Sequence, residues 1–131
     1  MRRIEFQRLV VRAVRELPAE FKQRLENIDI VVQAFPTARQ RGVSRIEQRM
    51  SLLGLYEGVP LTQRGEGYNM VMPDRITIFQ RPIERMCHTD DEIIEEVRRT
   101  VFHEIGHHFG LSDARMEELE RQRRERGTPP E

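Results

Sequence analysis

Two histidines four residues apart, with a glutamate directly after the first and a glycine and an aspartate three and six residues past the second, constrain this chain more than any other feature. They are His103, Glu104, His107, Gly110 and Asp113, in the run Thr-Val-Phe-His-Glu-Ile-Gly-His-His-Phe-Gly-Leu-Ser-Asp that begins at Thr100. On a helix, positions four apart project from nearly one face, about 6 Å apart along the axis, so the two imidazoles can share one cation. Glu104 then falls beside the cation rather than on it, which is where a general base takes a proton from a polarised water. A catalytic zinc has three protein ligands and a water, so a third donor must come from beyond the helix. Gly110 can adopt φ > 0, end the helix and turn the chain back, and Asp113 follows with a carboxylate. Asp113 also comes after Ser112 at a predicted helix start, where an acid simply complements the helix dipole; both roles stand for it.

At 131 residues, 37% of them hydrophobic, the chain has enough material for one core and too little for two. A single domain over residues 1–126 with a disordered tail over 127–131 is expected, as a monomer. The 22 basic residues are balanced by 22 acidic ones, which argues against a dedicated nucleic-acid binder. Cys87 is the sole cysteine, so no intrachain disulfide forms. Met1-Arg-Arg-Ile-Glu leads into a helical pattern rather than an apolar signal core, and no run reaches the length of a membrane span. A cytoplasmic protein is the expectation.

Ile4, Leu9, Val10, Val14 and Leu17 recur at helical spacing until Pro18 interrupts, and Phe21 with Leu25 supports a second short helix from Ala19. Ile28 to Phe35 is rich in β-branched residues and predicts a strand. Pro36 to Met50 is polar and arginine-rich and is expected to be a solvated loop with at most a helical turn. A short strand is predicted over Leu53 to Tyr56, and a hairpin from Tyr68 to Met72 and Arg75 to Gln80 joined at Pro73-Asp74. Pro82 closes that strand, and Ile83 to His88 reads as a connector. Thr89 and Glu92 form a capping box that starts the key helix, whose buried stripe is Ile94, Val97, Val101 and Ile105. Ala114 to Arg126 is mostly charged and reads as a helix that frays.

Among neighbouring groups, His108 is expected beside the ligands or exposed rather than on the metal, Tyr56 and Tyr68 pack rather than bind an oxyanion, and Cys87 is a half-buried structural thiol.

The motif from His103 to Asp113 resembles that of the small bacterial zincin-like metallopeptidases, a minimal version of the metzincin-type fold. Leu17 to Phe21, Leu53 to Thr62, Pro73 to Thr77 and Arg81 to Ile83 look like segments of the same family, so the resemblance runs from the first helix to Asp113. It implies an α+β fold in which a small mixed sheet packs against the helix bearing the two histidines, with helices N-terminal to it. It further implies zinc, or another divalent cation, held by His103, His107 and Asp113, with Glu104 as general base in peptide-bond hydrolysis. The partner is then a peptide or protein substrate, held as an added strand near Arg75 to Gln80. Larger metzincins carry a histidine in place of Asp113 and a later methionine-bearing turn, for which Met116 lies too soon. The competing function is a non-catalytic, metal-stabilised interaction domain, in which the cation only ties the helix to the following turn.

Overall fold

The structure, a computed structural model, describes residues 1–43, 52–58 and 74–127. Helix α1 (Arg3–Arg15) is followed by α2 (Ala19–Arg24), a 3-10 turn (Leu25–Asn27), strand β1 (Ile28–Gln33) and α3 (Ala38–Val43). Strand β2 (Gly54–Glu57), β3 (Asp74–Phe79), α4 (Gln80–Met86), α5 (Asp90–His108) and α6 (Asp113–Gly127) complete the described elements. The α+β class holds. The sheet is mixed, in the order β1-β3-β2, with β1 parallel and β2 antiparallel to β3.

Helix α5 runs over the sheet against α1, and the core lies between them. Ile94, Val97, Val101 and Ile105 are all buried, as their spacing predicts, and Phe102 packs on Phe21 with ring centres 4.8 Å apart and planes tilted by 31°. Ile76 and Ile78 of β3 meet this stripe from below and are fully buried. On α1 the buried face is Phe6, Leu9, Val10 and Ala13, with Leu17 beyond it, whereas Ile4 is 53% exposed. At about 100° per residue Ile4 falls on the far side from Val10 and Leu17, so it does not belong to the stripe assigned to it.

Three segments differ from expectation. Residues 38–43 are helical because Thr37 and Gln40 cap one another: Gln40 N–H donates to Thr37 Oγ1 at 3.1 Å and Thr37 N–H to Gln40 Oε1 at 2.9 Å. The expected connector after Pro82 is helix α4, and Pro82 sits in its first turn, where a missing N–H costs nothing. β3 is the central strand, flanked on both sides, so it offers no edge to a peptide. The predicted partner strand over 68–72 and Pro73 of the predicted turn lie outside the described residues, while Asp74 of that turn begins β3. Of the expected tail over 127–131, Gly127 ends α6 and the rest lies outside the described residues. No helix among the described residues is long and apolar enough to cross a membrane.

Candidate metal centre

Helix α5 starts where the capping box places it. Glu92 N–H donates to Thr89 Oγ1 at 3.1 Å, and the Glu92 carboxylate accepts from the His88 N–H at 3.2 Å. Asp90, Asp91 and Glu92 put negative charge in the first turn, where the helix dipole favours it. About four to five turns on, the helix presents His103 and His107 with ring centres 6.1 Å apart. His103 is half-buried and His107 is exposed; Glu104, half-buried, follows His103 around the helix.

The helix ends in a Schellman motif. Gly110 adopts φ +77°, its N–H donates to the His107 carbonyl at 3.1 Å, and Leu111 N–H donates to the Gly106 carbonyl at 2.8 Å. Ser112 then caps α6, its hydroxyl accepting from Arg115 N–H at 3.0 Å. These two local devices reverse the chain within a few residues and set Asp113 in the first turn of α6, facing back to α5. Asp113 Oδ1 lies 2.9 Å from His107 Nε2. The carboxylate is otherwise open to solvent, 89% exposed.

Burial, and then the neighbouring His107 imidazole, lower the proton affinity of His103. That favours neutral imidazole, the form that binds a metal. Two donors on one tetrahedral zinc at about 2.0 Å stand roughly 3.3 Å apart, and two imidazoles on it have ring centres roughly 5 Å apart. The His107–Asp113 and His103–His107 separations are each within about an ångström of those values. As the side chains stand, no three His, Cys, Asp or Glu groups among the described residues are gathered tightly enough to hold a metal ion. Two imidazoles and a carboxylate, presented by α5 and α6, fit a divalent cation by donor type.

His108 turns away from this group. Its ring stacks on Tyr56 of β2, with centres 3.9 Å apart and planes inclined by 18°, and Tyr56 donates its hydroxyl proton to Asp74 Oδ2 at 2.6 Å. It ties the end of α5 to the sheet. Cys87 is half-buried and its thiol is pushed up by burial and by Glu96 and Glu92, so it is not a ready nucleophile. Tyr68 lies outside the described residues.

Two features beside the site escape motif analysis. Met116 is fully buried against Gly106, so α6 is seated on α5 rather than frayed. Arg98, 1% exposed, lies on the buried stripe of α5 and pairs with Glu120 of α6. A signal for it was present: position 98 falls between Ile94 and Val101 on the apolar face, where an arginine must find a buried partner.

No curated protein matches the chain. A family model described as zincin-like metallopeptidase matches residues 25–123, which takes in every strand described here, the histidine helix and most of α6. The match covers well over half of the chain, which therefore belongs to the zincin-like metallopeptidases.

Proposed function

We propose that this protein is a zinc-dependent peptidase whose metal is held by His103, His107 and Asp113, with Glu104 as general base. The contact of Asp113 Oδ1 with His107 Nε2 carries the proposal, because it joins the turn after the helix to the helix's own histidine at nearly ligand spacing. Zinc, when bound, would polarise the scissile carbonyl and acidify a water. The Glu104 carboxylate takes the proton from that water and later delivers it to the leaving amine. An extended substrate adds to an outer strand of the sheet; among the described residues β2 is an outer strand, and the Tyr56–His108 stack ties it to the end of α5. Oxygen ligation from Asp113 also allows other divalent ions to compete with zinc.

The alternative, a metal that only ties the helix to the following turn, is disfavoured by what already ties them. The Schellman bonds, the Met116 seat and the Arg98–Glu120 pair hold α6 on α5 without a cation.

Elemental mass spectrometry of untagged protein, purified without added metal, tests the site. About one zinc per chain is expected in the wild type, lost in both His103→Ala and Asp113→Ala. A peptide-library assay then tests the chemistry, with Glu104→Gln as control. Undiminished hydrolysis in Glu104→Gln, or zinc retained in Asp113→Ala, would overturn the assignment.

A further inference from the structure

Among the described residues Arg98 is the largest of the fully buried side chains, yet it is charged. Its guanidinium is shared by two carboxylates. Nε and Nη2 donate to Glu95 at 3.0 and 2.6 Å, while Nη1 and Nη2 donate to the two oxygens of Glu120 at 3.0 Å each. Glu95 stands one turn back on the same helix, so that pair orients the arginine. Glu120 is on α6, so the second pair bridges two helices.

Burial opposes the charge on Arg98, but the hydrogen bonds to Glu95 and Glu120 outweigh it and hold the guanidinium firmly protonated. As glue, such a pair is a poor choice, since apolar residues of similar volume often hold two helices at least as well. What a two-pronged fork supplies and a methyl group does not is direction. The planar guanidinium donates to a carboxylate at one distance, one angle and one register.

That register matters because of where α6 begins. Asp113 stands at its N-terminus, and Glu120 follows two turns later on the same face, about 10 Å along the axis. Met116 pins the first turn against Gly106, and the Arg98–Glu120 fork pins the second. Two points fix both the slide and the roll of α6, and therefore where the Asp113 carboxylate meets His107. Bridge and site share one surface: Arg98, His103, Asp113, Glu117 and Glu120 line a single groove between the helices.

We infer that the Arg98–Glu120 bridge is a positioning device for the metal centre, setting the register of α6 on α5 so that Asp113 is presented to His107. The inference rests on the zinc site proposed above. Arg98 touches neither metal nor substrate and acts through Asp113.

The test separates register from stability. In the double variant Arg98→Met, Glu120→Leu, apolar packing replaces the bridge; in Arg98→Lys the charge stays and the fork is lost. For each, zinc affinity is measured by competition with a chromophoric chelator. The melting temperature of the metal-free protein and hydrogen exchange at the Arg115 and Met116 amides are measured alongside. The double variant should melt near the wild type yet bind zinc at least about tenfold more weakly, with faster exchange at both amides; Arg98→Lys should bind several-fold more weakly with little change in melting. Wild-type affinity and wild-type exchange in the double variant overturn the inference, as does a loss of affinity that merely tracks falling melting temperature. If the wild type and Asp113→Ala prove alike toward zinc, the site itself fails. Exchange at the two amides then decides the bridge alone, faster exchange supporting it and unchanged exchange overturning it.

Discussion

The sulfur of Met116 occupies the space that a β-carbon on Gly106 would fill. Helix α6 thus seats on α5 at the one residue between His103 and His107 that has no side chain. In an open helix Gly→Ala stabilises by up to about 1 kcal/mol. Here overpacking against a fully buried methionine, costing about 1–3 kcal/mol, is expected to win. Gly106→Ala should therefore destabilise in chemical denaturation. Met116→Ala alone should cost about 2–4 kcal/mol through the cavity it leaves. Because the new methyl group would sit in that cavity, the double variant should be more stable than the two single effects added together. Simple additivity would refute the notch-and-knob contact.

Gly110 tests the turn rather than the packing. A β-carbon there would meet nothing within 4 Å, so a substitution is felt only through the backbone angle of φ +77°. Gly110→Ala should cost about 1–2 kcal/mol, and Gly110→Asn less, since asparagine tolerates the left-handed region. Zinc affinity measured in parallel should follow the same order, because the turn delivers Asp113. Equal melting temperatures for wild type and Gly110→Ala would show that the helix end has another way to close.

The histidine helix was legible in sequence from Thr89 to Asp113, since its signals are local: a capping box, an apolar stripe, a glycine at the left-handed position. Contacts between elements were less so. Nothing near residue 75 announces that β3 lies between a parallel and an antiparallel neighbour, because strand order depends on residues distant in the chain. α6 read as a fraying surface helix on composition, although Met116 and Glu120 hold it through single long-range contacts that no periodicity reveals. The Thr37–Gln40 cap was a local signal within an arginine-rich stretch, and charge density masked it.

His108 separates anchoring from ligation. Its stack on Tyr56 is expected to contribute about 1 kcal/mol, so His108→Ala should lower the denaturation midpoint modestly while leaving the zinc content unchanged. Tyr56→Phe keeps the stack and removes the hydroxyl bonded to Asp74, at a similar cost. Loss of zinc in His108→Ala, with the fold intact, would move His108 onto the metal.

Acid should weaken the fold through two carboxylates. Burial pushes Glu84 up, but hydrogen bonds from Gln80, Arg81 and the N-terminal ammonium outweigh it and hold the group below its usual 4.5. Hydrogen bonds from Arg98 do the same for Glu95, against some burial. In both cases the unfolded chain binds the proton more readily than the folded one, so stability rises with pH across the window between the two values. The contribution is complete above 4.5 and is lost as pH falls through the lower folded value. Glu84 should dominate, because its side chain is 16% exposed against 46% for Glu95, where solvent screens the pair. Melting temperatures of the metal-free protein, followed downward from pH 4.5, should therefore fall less steeply in Glu84→Gln than in the wild type, with Glu95→Gln between them. Parallel curves for all three would place the acid sensitivity elsewhere.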